Sequence, residues 1–148
     1  MEGYAIMDNP LRDNNRVLDL SRKGNLYLSP EAFRAAVMKQ APSASYSIAK
    51  SDVFSNGLVL LAASLLESFE GLYRFDLEEL DREFLLKKLS SLKKRYPQNL
   101  LFLTTVNKML DFNPSTRPTF QELVTSLPEY QQVKSYFAAY PDTLLDEE

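Results

Sequence analysis

The side chains that could do chemistry in this 148-residue chain form a narrow set: it has no His and no Cys. That excludes a Ser-His-Asp or Cys-His nucleophile, thiol chemistry, disulfides and an ordinary zinc site. The four glycines, Gly3, Gly24, Gly57 and Gly71, are too widely separated for a G-x-G-x-x-G turn or a Walker A loop. Carboxylates remain, and Asp or Glu can act as general acid or base or ligate Mg²⁺ or Ca²⁺. The 20 acidic residues are interspersed with 17 Lys and Arg, giving a formal net charge of −3. A mildly acidic chain lacks the electrostatic footprint of a non-specific nucleic-acid binder. Taken alone, the chain reads as non-catalytic, without cofactor or metal.

The elements that must position these residues follow from patterning. With 45% hydrophobic and 25% charged residues the composition is that of a folded domain, not a disordered tail. Met1 to Met7 has neither a basic region nor an apolar run, so no targeting segment is expected. The longest uncharged apolar stretch, Val53 to Leu66, falls short of the roughly 20 residues a spanning helix needs. No membrane span is expected; the lack of Cys suits a reducing compartment but equally removes any sign of an oxidising one, so the compartment stays open, with an intracellular soluble protein or a member of a large complex as the expectation.

Gly3 to Met7 reads as a short strand, and Asp8-Asn9-Pro10 with Asp13-Asn14-Asn15 as turns. Ser29-Pro30-Glu31 reads as a helix start, with a hydroxyl N-cap, Pro at the first helical position and an acid in the first turn. Ser51-Asp52 reads as a second start, opening a helix over Val53–Glu70. Its apolar residues lie nearly all round, so it is expected to be buried on every side as the central helix. Leu77 to about Leu92 is amphipathic and runs from acidic (Asp76, Glu78, Glu79, Asp81) to basic (Lys87, Lys88, Lys93, Lys94, Arg95), matching the helix dipole. Its basic end reads as a solvated turn, with a docking patch as the alternative. A helix over Asn99–Leu110 follows, then a turn over Asp111–Pro118. Thr119-x-x-Glu122 is a capping box opening a last helix to about Leu127, which Pro128 stops. The tail beyond is aromatic, then acidic.

Three blocks, in order, resemble the C-terminal lobe of a eukaryotic protein kinase. Tyr27-Leu28-Ser29-Pro30-Glu31-Ala32-Phe33 is similar to the Ala-Pro-Glu end of an activation segment. Asp52-Val53-Phe54-Ser55-Asn56-Gly57 resembles the start of that family's buried central helix, Asp-x-Trp-x-x-Gly, with Phe54 in the Trp place. Asp111 to Thr119 is similar to the Asp-x-x-x-Arg-Pro-[Ser/Thr] turn, and the likeness covers roughly residues 8–127. The resemblance implies an ion pair between Glu31 and Arg117, and Asp52, Phe54 and Gly57 as anchors of the central helix. A charge-exchanged Glu31→Arg/Arg117→Glu variant is then expected to recover part of what each single change loses. For Asp52 the alternative, a charge capping its own helix, stands with equal weight.

The departures from the family bear on function. A working kinase needs a Gly-rich loop, a strand Lys, a His-Arg-Asp loop with its Asn, and an Asp-Phe-Gly metal motif. The first three have no counterpart here. The metal motif falls at Asp8-Asn9-Pro10, where the carboxylate is kept but Pro replaces Gly, fixing φ and removing a donor; Asp8 reads as a turn former, not a metal ligand. Gly24 stands where Ser/Thr kinases usually carry Thr. Of the phosphorylatable side chains nearby, Ser21 and Tyr27, Tyr27 matches a packing aromatic of the family.

The expected fold is therefore mainly α: a truncated kinase C-lobe-like helical domain of about five helices, with at most one or two short strands. Residues 1–28 are an irregular activation-segment-like region, 29–127 the helical core and 128–148 the tail. Without the helix that normally packs on the central one, Val59, Leu60, Ala63 and Leu66 are expected to form a face covered by a partner chain or by the tail, through Tyr130, Tyr136 and Phe137. The function implied is that of a catalytically inactive, pseudokinase-like structural or interaction subunit, with other protein subunits as partners and no ATP. The alternative is the C-terminal half of a split or truncated kinase whose nucleotide-binding half is another chain.

Overall fold

The computed structural model describes residues 4–7, 26–37 and 44–139, apart from the side chains of 4–7, 44, 45, 133 and 137. Asp8, Ser21, Gly24 and the acidic end of the chain lie outside these residues. The elements are β1 (Tyr4–Met7), α1 (Pro30–Val37), β2 (Ala44–Ser47), α2 (Ile48–Leu65), β3 (Tyr73–Arg74), β4 (Glu79–Leu80), α3 (Arg82–Arg95), α4 (Leu100–Met109), α5 (Phe120–Thr125) and α6 (Pro128–Ala139). The fold is mainly helical, with two small antiparallel sheets: β1 on β2, pairing Tyr4 with Ser47 and Met7 with Ala44, and β3 on β4, pairing Tyr73 with Leu80. Two compact units are present, Met1–Pro118 and Thr119–Glu148, so the helical core expected over 29–127 straddles both.

In the first unit α2 packs against both α3 and α4. Its Phe54, Leu58, Leu61 and Leu65 join Phe33 of α1, Leu85 and Leu92 of α3, and Leu103 and Val106 of α4 in one apolar cluster. Gly57 sets the closeness of the α2–α4 approach. A Cβ there would lie 3.0 Å from both Met109 Cβ and Leu110 Cδ2, inside van der Waals contact.

The bounds of α2 differ from the sequence reading. The helix begins at Ile48 because Ser47 is the N-cap, its hydroxyl accepting from Lys50 N–H at 3.2 Å. Ser51 is thereby inside the helix and buried, sharing a 2.7 Å hydrogen bond with the Ser29 hydroxyl, which also accepts from Ala32 N–H to cap α1. At the other end the helix stops at Leu65, not Glu70. Leu66 turns left-handed with φ 55°, and its N–H closes onto the Ala62 and Ala63 carbonyls. That turn brings Phe69 and Leu72, both buried, back into the core. Nor is α2 buried on every side: Asp52, Asn56, Val59, Leu60 and Ala63 lie exposed along it, and Leu66 is exposed just past its end. At 18 residues it is, among the described residues, the one helix long and apolar enough by length and composition to cross a membrane.

The helix expected from Leu77 instead begins at Arg82. Asp81 is its N-cap, the carboxylate accepting from Phe84 N–H at 3.2 Å, so the acidic stretch before it is free to form the β3–β4 hairpin, which the sequence reading missed. Glu78 turns this hairpin with φ 54°, and Asp81 N–H closes its base on the Leu72 carbonyl at 2.8 Å. Helix α4 begins behind Asn99, whose side chain accepts from Phe102 N–H.

In the second unit Thr119 caps α5, its hydroxyl accepting from Glu122 N–H at 3.1 Å. Pro128, expected to end a helix, opens α6, since the ring lacks only an N–H that a first helical turn leaves unpaired anyway.

Candidate functional site

Three elements meet at Arg117. Glu31 comes from the first turn of α1, Lys50 from the first turn of α2, and Arg117 from the turn that follows α4. The Arg117 side chain is fully buried. Nη1 donates to Glu31 Oε1 at 2.6 Å and to the Lys50 carbonyl at 2.7 Å. Nη2 donates to Glu31 Oε2 at 3.1 Å and reaches the Phe112 carbonyl at 3.5 Å. Nε donates to the Asp111 carbonyl at 2.8 Å. A guanidinium has five N–H donors in a rigid fork, and here each has an acceptor. Lys50 Nζ returns a hydrogen bond to the Arg117 carbonyl, so residues 50 and 117 are tied in both directions.

Aromatic rings close the remaining sides. The Arg117 guanidinium lies 5.0 Å from the centroid of the buried Phe54 ring, and Phe54 meets Phe112 edge to face at 5.6 Å. Arg82 covers the Phe112 ring at 4.3 Å. Asp111 opens the turn: its carboxylate accepts from Asn113 N–H at 2.9 Å and from the Thr116 hydroxyl at 2.6 Å. Partial burial would raise the Asp111 carboxyl, but the Thr116 and Asn113 hydrogen bonds and the nearby Arg117 and Arg82 charges outweigh it and hold its pKa below the ordinary value. The Tyr46 hydroxyl beside this cluster is shifted up by burial and by the Glu31 and Asp52 charges.

This constellation is a clamp in which every guanidinium N–H of Arg117 has an acceptor. Among the described residues no group of three or more carboxylates is placed to hold a metal ion. Asp52 lies inside α2, exposed, with its main-chain carbonyl taking the Asn56 side-chain N–H at 2.8 Å. It does not cap the helix, a position Ser47 holds.

The other site candidates lie on α2, away from the clamp. Val59 is 46% exposed, Leu60 40% and Leu66 86%, with Ala63 exposed between them. Val59, Leu60 and Ala63 lie on the side of the helix opposite the core, and Leu66 is exposed at its C-cap. In the second unit Tyr130 is half-buried and Tyr136 exposed on α6, while the Phe137 side chain lies outside the described residues.

Several structural contacts carried no sequence signal. The Tyr73 hydroxyl accepts from Leu28 N–H at 2.6 Å and donates to the Leu28 carbonyl at 2.9 Å, clasping the segment that enters α1. Burial pushes this phenol far above its usual value. The same ring packs on Phe33 at 4.8 Å. The basic end of α3 is more than a solvated turn. Arg95 donates to the Ser64 and Leu65 carbonyls at 3.1 and 2.9 Å, and the Tyr96 hydroxyl to Ser64 at 3.1 Å, filling the unpaired end of α2. Lys88 pairs with Glu67 and lies over the Phe84 ring at 5.2 Å.

No protein-family model matches the chain, and neither the curated proteins nor the solved structures contain a significant match to it.

Proposed function

We propose that this chain is a catalytically inactive, pseudokinase-like helical domain that acts as a structural or protein-interaction subunit of a larger assembly. The observation that carries the proposal is the exposed strip of Val59, Leu60 and Ala63 on α2, with Leu66 at its C-cap. Apolar side chains aligned on the outer side of a core helix suit an interface, since contiguous apolar surface marks interaction sites or aggregation hazards. The kinase-lobe resemblance rests on the three sequence blocks. The Glu31–Arg117 pair and the close packing at Gly57 are compatible with it, and both are ways of holding a fold rather than of handling phosphate. In this reading the partners are protein subunits, α2 stays within the protein rather than in a bilayer, and neither ATP nor nucleic acid is a ligand.

The test is purification of the native protein under mild conditions, with identification and stoichiometry of what accompanies it. Recovery in a multi-subunit complex without a kinase half is the expected result. Recovery one-to-one with a chain bearing a Gly-rich loop and a His-Arg-Asp motif would make it half of a split enzyme and overturn the proposal.

A further inference from the structure

We draw no further inference here: the strongest candidate, the exposed apolar strip of Val59, Leu60 and Ala63 on α2 with Leu66 at its C-cap, belongs to the surface already described, and nothing in the structure shows what covers it.

Discussion

The clamp at Arg117 makes a prediction that can be worked from its individual bonds. Glu31→Ala removes the two carboxylate acceptors, leaving Nη1 only the Lys50 carbonyl and Nη2 only the long contact to Phe112. Hydrogen bonds to charged groups contribute about 1.5–3 kcal/mol each, and stripping one partner from a buried pair costs about 3–5 kcal/mol. Both routes give a similar loss, a large share of the roughly 5–15 kcal/mol by which domains are stable. With m of about 2 kcal/mol/M in urea, the unfolding midpoint falls on the order of 2 M. The chain has no Trp, so far-UV circular dichroism, which follows its helices directly, is the assay.

Stability loss alone would not isolate the pair, so the cycle is run with Arg117→Lys. An ammonium cannot make the two-pronged contact and has three donors to replace five. Glu31→Ala is therefore expected to cost clearly less in the Arg117→Lys background than in the wild type, by about 1 kcal/mol or more. Equal costs in the two backgrounds would refute the clamp, as would a Glu31→Ala loss below about 1 kcal/mol in the wild type. The structure also reverses the outcome expected for the charge-exchanged pair. Arg117 donates to the carbonyls of Lys50, Asp111 and Phe112 as well as to Glu31. A Glu at 117 would turn its carboxylate onto those three oxygens, so Glu31→Arg/Arg117→Glu should recover nothing.

Four further outcomes follow from single contacts. Gly57→Ala should lower stability: the new Cβ meets Met109 Cβ, which no rotamer change can move, and overpacking of about 1–3 kcal/mol exceeds the roughly 1 kcal/mol gained in helix propensity; an unchanged melting temperature would contradict the close α2–α4 approach. Tyr73→Phe leaves both polar groups of the Leu28 peptide without the hydroxyl, a loss of about 1–3 kcal/mol, and amide exchange at Leu28 should speed up; unaltered exchange there would remove the clasp. Asp111 has a lowered folded-state pKa, so its contribution is present above the ordinary carboxylate range and fades as pH falls through the lowered folded value; Asp111→Asn should destabilise at pH 7 and flatten the acid limb of the stability–pH curve, and an acid limb parallel to the wild type would refute this. Leu66→Gly should raise stability by up to about 1 kcal/mol, because glycine takes the left-handed conformation that costs other residues about 1–2 kcal/mol; a loss in chemical denaturation would show that the exposed side chain holds something in place.

How much of this was legible in the sequence depended on how local each signal was. Caps are local, and Ser29 and Thr119 announce the helices behind them through side chains that bond three residues on. Ser51-Asp52 carried the same signal and was misleading. Ser47, one turn earlier, has equal capping chemistry and holds the position, while Ser51 is buried against Ser29, 22 residues away in sequence. The acidic run before Arg82 looked helical because its charges suit a helix dipole, yet Leu72 and Asp81 pair across a hairpin that periodicity does not encode. The burial of α2 failed as an expectation for a related reason: apolarity all round a helix reports what its residues tolerate, not what the chain supplies to cover them. Glu31 and Arg117 were legible as a pair through the resemblance alone. Their third partner, the Lys50 main chain, has no side-chain signature.

The two sides of α2 differ in what holds them, and that difference gives the proposed interaction role a physical basis. Lys50, Phe54 and Gly57 face the clamp and α4, where a guanidinium without spare donors and a Cβ-free approach leave little room to move. Arg95 and Tyr96 pin the far end of the same helix at its last carbonyls. A helix fixed at both ends and along one side holds its opposite strip in a defined geometry. Such a strip gives up little conformational entropy when something binds it, and lost entropy is a chief reason buried area fails to become affinity. Substitutions at Val59 or Leu60 touch none of the clamp contacts, so their effects on stability and on association can be separated, whereas those at Arg117 or Gly57 would confound the two.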